Sequence, residues 1–213
     1  MRRGRAVSSG IVAPGVNYWR VPLARAVLAL ALAAVTTFTA GHSPQFGLTV
    51  FGAFALISGL VTAALTAVSL TDRRLRSLFL VHGAVSIVVG AAALIGSFAG
   101  LVFYLYLVSV WAAVTGFLEL YAGMRSRGRV AAAKDWLTVG AATAVLALVF
   151  LLVPPDYAEA FTAADGVDGA VTASVLGVGL LGAYGALLGV YLIIAALSLK
   201  WAPAEAAAAR GEK

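Results

Sequence analysis

The chain has 213 residues, 62% of them apolar and only 11% charged, with no cysteine and a mean hydropathy of +0.99. A soluble domain averages about half apolar and about a quarter charged, so this composition excludes one and makes lipid the solvent. Disulfides and thiolate chemistry are excluded too, two histidines without an HExxH spacing are too few for an ordinary zinc site, and the net charge of +6 has to be read from its placement.

A basic segment, 1–22, precedes the first apolar run at 23–39. It is long for the leading part of a signal peptide, and cleavage after Ala40 would put Phe38 where a small residue is needed, so the run is expected as an uncleaved helix. Further apolar runs follow at 46–69, 77–98, 101–124, 136–153 and 171–199. Their continuous apolarity lacks the alternation of a barrel strand, so each is expected as a membrane helix. The last, 29 residues and about 43 Å at about 1.5 Å per residue, must tilt or project beyond the hydrocarbon. The expected fold is an all-α membrane protein, with six spans in 23–200 and a C-terminal tail at 201–213.

The connections orient the spans. Arg2, Arg3, Arg5, Arg20 and Arg25 come first; Arg73, Arg74 and Arg76 separate spans two and three; Arg125, Arg127, Arg129 and Lys134 separate four and five; Lys200, Arg210 and Lys213 end the chain. These are all 15 cations, and the connections at 41–45, 96–100 and 154–169 carry none. The positive-inside rule then puts both termini in the cytoplasm. Tyr18, Trp19, Trp136 and Trp201 lie beside cations, where interfacial aromatic residues are expected. The 154–169 connection holds Asp156, Glu159, Asp165 and Asp168 without a counter-charge. It is expected as a solvated outer loop that loses charge in external acid, and is a candidate acid sensor.

The even-numbered spans share a pattern in which an aromatic residue is followed five positions later by glycine: Phe54 and Gly59, Trp111 and Gly116, Tyr184 and Gly189. Three copies of a two-helix hairpin in one orientation account for it. Six spans as three hairpins, the Trp111-x4-Gly116-x2-Glu119 signature and the arginine-rich turn after it resemble the HdeD family of bacterial membrane proteins, named for an association with acid resistance. The resemblance covers 23–200 and implies a bacterial cytoplasmic membrane, no cofactor, no established reaction and no catalytic residues. Thr62 and Leu192 stand where span four has Glu119, which puts in doubt any role needing an acid in every repeat.

Glu119 is the one acidic residue inside a span, and a charge at the bilayer centre costs at least ~2.5–3.5 kcal/mol. Thr115, Gly116 and Gly123 lie on its face of the helix, together with Ala112, and such small-residue faces meet other helices. His82 lies six residues past Arg76 and Glu119 six before Arg125, so both sit about 9 Å from a cytoplasmic charge at one depth. His82, Ser86 and Gly90 form their own small, polar stripe. The pair is expected as a hydrogen bond locking spans three and four; the alternatives are a proton-responsive pair, or the polar element of a small transporter or channel. The only Asn and Gln, Asn17 and Gln45, lie outside the spans, whereas transporters usually carry more intramembrane polar groups.

The GxGxxG at 177–182 lies inside an apolar run without a preceding strand, so no dinucleotide site is expected. Gly185-x3-Gly189 favours close helix approach, within the bundle or in a homo-oligomer. Thr62, Thr66 and Ser69 are expected to hydrogen-bond across helices or back to their own. Arg73, Arg74, Arg76, Arg125, Arg127 and Arg129 are expected to set topology and touch anionic lipid headgroups; nothing offers an element for reading nucleic acid. No nucleophile and base cluster and no metal site can be assembled. The expected function is therefore a non-enzymatic membrane protein contributing to envelope or acid-stress tolerance.

Overall fold

The computed structural model describes residues 17–162 and 168–209, the last eight as backbone only. Within these lie α1 (Arg20–Phe38), α2 (Pro44–Ser69), α3 (Arg73–Ile95), α4 (Leu101–Ser126), α5 (Ala133–Leu152), β1 (Ala158–Thr162), β2 (Asp168–Thr172) and α6 (Ala173–Ala209). Six helices are long and apolar enough to cross a membrane, which makes this a multi-pass membrane protein. A helix satisfies its backbone within itself, as lipid demands, and the ends here are tied by polar groups. Ser43 accepts a hydrogen bond from Phe46 N with Pro44 in the first turn, and Asp72 accepts from Arg74 N and Leu75 N at the start of α3. Those backbone donors hold the Asp72 carboxyl below the usual carboxylate range.

Two departures from the sequence expectation are local. The acidic connection is a β-hairpin rather than a plain loop: β1 and β2 pair antiparallel from Ala158 with Thr172 to Thr162 with Asp168. Val171, expected in span six, pairs with Glu159. Five-residue strands give too short an alternation to register against the apolar runs beside them. At the other end α6 continues through 201–209, part of the segment expected as a tail.

The third departure concerns which helices pack most closely. They are α2 with α3, α4 with α5, and α6 with α1, whereas α1 with α2, α3 with α4 and α5 with α6, the expected hairpins, touch less extensively. Glycine determines the choice. A Cβ on Gly59 would stand 2.7 Å from Gly83 O, and one on Gly116 would stand 2.9 Å from Ala144 N and 3.0 Å from Gly140 O. On α6, a Cβ at Gly185 would meet Ala29 O at 2.7 Å and one at Gly189 would meet Ala26 O at 3.2 Å. Gly185 and Gly189 thus pack within the bundle, against α1. Without side chains at these crossings the backbones come into direct contact.

The larger apolar core runs through Phe51, Tyr104, Val108, Phe150, Val178 and Leu181, while Val27, Val88, Phe117, Leu148, Leu187 and Ile194 face outward as a lipid-facing surface would. A second core gathers Tyr18, Leu75, Phe79 and Trp136. Tyr18 and Trp136 therefore turn into the bundle rather than outward from it. Each is 3% exposed, Trp136 Nε1 donates to Tyr18 Oη at 2.8 Å, and the rings meet edge to face. Proximity to cations along the chain is blind to which face of a helix turns inward. Trp19 does sit among cations, with Arg20 5.6 Å and Lys200 5.0 Å from its ring, and Trp201 is exposed.

Candidate functional site

Where α1, α3 and α4 meet, three ionisable side chains converge in the interior. Glu119 is 1% exposed, and Arg25 Nη2 lies 2.5 Å from its Oε1. His82 Nδ1 is 3.7 Å from the same oxygen, beyond hydrogen-bonding range. The expected His82–Glu119 hydrogen bond is therefore not formed: the two are neighbours, and the partner of Glu119 is Arg25. Apart from this contact with Arg25, neither carboxylate oxygen of Glu119 has a hydrogen-bond partner among the described residues, and His82 Nδ1 has none there either.

Arg25 is the residue that sequence reasoning assigned elsewhere, as one of the cations of the N-terminal segment. It lies inside α1 with a side chain 10% exposed. A usable signal was present: Arg25 falls within the first apolar run, and a lone cation there is the natural mate of a lone intramembrane carboxylate. The sequence does not show that the Arg25 side chain of α1 reaches Glu119 of α4, since the two residues lie 94 positions apart.

Beside the triad, the aromatic residues of the repeated pattern close on one another. Phe54, Trp111 and Tyr184, with the residues four further on, Ser58, Thr115 and Leu188, surround a cavity of about 10 Å³ that Arg25, His82 and Thr143 complete. That is room for about one water. Trp111 Nε1 donates to Ser86 Oγ at 3.0 Å, Tyr184 Oη and Thr143 Oγ1 share a hydrogen bond of 2.8 Å, and the Phe54 and Trp111 rings lie 6.1 Å apart, edge to face. Between His82 and Glu119, the gap lined by Leu78, Phe79 and Leu118 has no space for water. Glu119 is packed dry.

The glycine crossings relate these residues. Gly59 meets Gly83 O, Gly116 meets Gly140 O and Gly189 meets Ala26 O. The residue before each carbonyl is His82, Val139 or Arg25, and the residue three after each glycine is Thr62, Glu119 or Leu192. All six are buried or nearly so. Arg25 and His82 thus occupy matching places on different helices, while Thr62 and Leu192 match Glu119. Thr62 Oγ1 is buried without a hydrogen-bond partner among the described residues, and Thr66 bonds back to Thr62 O at 2.6 Å. In the small-residue stripe of α3, Gly90 lies against α2, where a Cβ would stand 2.8 Å from Gly52 O.

In the acidic hairpin, Tyr157 Oη donates to Glu159 Oε2 at 2.8 Å, and the nearby carboxylate raises the phenol above its ordinary range. Asp165 lies outside the described residues. Of the six arginines in the two turns, Arg73, Arg74, Arg125 and Arg129 line one cavity, and Arg76 and Arg127 do not. No protein-family model, curated protein or solved structure matches the chain.

Proposed function

We propose that this chain is a non-enzymatic protein of the bacterial cytoplasmic membrane that contributes to envelope or acid-stress tolerance, with both termini cytoplasmic and three repeats closing into a ring. The carrying observation is Glu119, ion-paired with Arg25 and packed dry, which favours a residue that holds helices together over one that lines a conduit. The orientation rests on the cations, which cluster at alternate connections. The repeat is supported by the glycine crossings between an even-numbered helix and the next odd one, with α6 against α1 as the third. The acid-stress element rests on the family resemblance.

A strain lacking the protein should survive acid challenge less well than its parent and recover with the wild-type chain. Survival equal to the parent would remove the stress assignment. Proton uptake by vesicles containing the purified protein, abolished by Glu119→Gln, would instead install the transporter reading.

Threading is tested separately in this cysteine-free chain. Single cysteines at Ser43, Ala99 and Thr162, all outside the helices, should react with an impermeant thiol reagent in intact cells. Cysteines at the exposed Thr71 and Ala131 should react only after lysis. Labelling of Thr71→Cys in intact cells would invert the topology.

A further inference from the structure

Two turns more than 50 residues apart in the chain bring four guanidinium groups around one cavity. Arg73 and Arg74, opening α3, and Arg125 and Arg129, around the end of α4, line a space of about 380 Å³ with Asp72, Leu75, Leu78, Ser126 and Val130. No described carboxylate forms an ion pair with any of the four; Asp72 is the single acid in the lining, and its Oδ1 caps the backbone of α3. Asp72 offsets part of this charge through Arg74 and Arg129, and the excess of exposed cations that remains attracts a further anion. The lower lining is apolar: Leu75 is buried in the second core, and Leu78 also lines the tight gap between α3 and α4 that leads to His82.

We infer that this cavity is a binding site for the phosphate of an anionic phospholipid, held by Arg73, Arg74, Arg125 and Arg129, with its glycerol and the start of an acyl chain against Leu75, Leu78 and Val130. Guanidinium groups match phosphate oxygens with paired N–H donors, which a diffuse cationic surface does not do. The volume lies within the about 300–1,000 Å³ of small-molecule sites, and the polar rim over an apolar floor fits an amphiphile better than a free ion. The site rests on the cytoplasmic assignment of these turns only for its access to anionic lipid; the stress role is independent of it.

The test compares two double variants that remove equal charge from the same turns. Arg74→Gln/Arg129→Gln empties half of the cavity rim, and Arg76→Gln/Arg127→Gln leaves the rim intact. Purified full-length protein in neutral detergent is titrated with phosphatidylglycerol, phosphatidylcholine or sodium glycerol phosphate, and binding is read by native mass spectrometry and by the shift in unfolding temperature. Wild type and the second double should bind phosphatidylglycerol alike, and the first double at least tenfold more weakly, while unfolding at the same temperature without lipid. Equal weakening in both doubles would reduce the interaction to diffuse charge and overturn the site. Saturable binding of glycerol phosphate as tight as that of phosphatidylglycerol would assign the cavity to a free phosphate compound instead. If the first double alone unfolds early without lipid, single Arg74→Lys and Arg129→Lys variants, which keep charge but lose the forked donors, carry the comparison; unchanged lipid affinity in them would overturn the guanidinium assignment.

Discussion

Arg25→Met should destabilise the detergent-solubilised protein by roughly 3–5 kcal/mol, the penalty for stranding a buried charge whose partner is removed. Glu119 is 1% exposed, and neither oxygen has another hydrogen-bond partner among the described residues to share the role of the guanidinium. Glu119→Gln should be destabilising as well, because it leaves the nearly buried Arg25 charged without its carboxylate partner. The informative variant is the double, Arg25→Met/Glu119→Leu. Removing both charges also removes both desolvation penalties, so it should unfold near the wild-type midpoint, far from the sum of the singles. His82 provides the contrast. At 3.7 Å without a hydrogen bond, His82→Ala should couple to Glu119→Gln by well under the Arg25 value. Denaturant titration of the singles Arg25→Met, Glu119→Gln, Glu119→Leu and His82→Ala and of the doubles measures both couplings; strict additivity for Arg25 and Glu119 would show that the ion pair contributes nothing to stability.

The glycine crossings should give effects of opposite sign at two positions that look alike in the sequence. In Gly140→Ala the new Cβ would lie 2.6 Å from Leu120 N and 2.9 Å from Gly116 O. Backbone atoms cannot swing aside, so α4 and α5 must separate, at a cost of about 1–3 kcal/mol, and Gly140→Val should cost more. Gly179 has nothing within 4 Å of its Cβ position. There, alanine should be neutral or stabilising by up to ~1 kcal/mol through helix propensity alone. The comparison is read from unfolding midpoints of the two alanine variants in one detergent. A neutral Gly140→Ala would mean that the α4–α5 crossing is looser than direct backbone contact.

The contrast between Gly140 and Gly179 marks how much of the site was legible. Helical periodicity placed Thr115, Gly116 and Gly123 on the face of Glu119, and Gly116 and Gly123 do meet α5. Depth reckoning brought His82 and Glu119 to one level, where they are neighbours. Depth, however, says nothing about azimuth. Two residues at one level on adjacent helices approach within bonding range only if both helices are rotated correctly, and that rotation comes from packing. Tyr18 and Trp136 illustrate the same gap, since both lie at the expected end of their helices but point inward to each other.

What the sequence determined by itself is the set of long apolar helices and the glycines that could let them touch, because lipid requires each spanning segment to satisfy its own backbone and to read as one continuous apolar run. Partner choice was left to the tertiary structure. The residues that decide it are contributed by distant segments: Gly189 by α6 and Ala26 by α1, Glu119 by α4 and Arg25 by α1, Arg74 and Arg129 by separate turns. Apart from Glu119, each member of these pairs has an unremarkable local reading, as a small residue, a topology charge or a capped turn. In a bilayer the apolar surroundings do not favour one helix neighbour over another, so close backbone contact and the neutralisation of a buried charge make the selection, and both exist only once the helices are assembled.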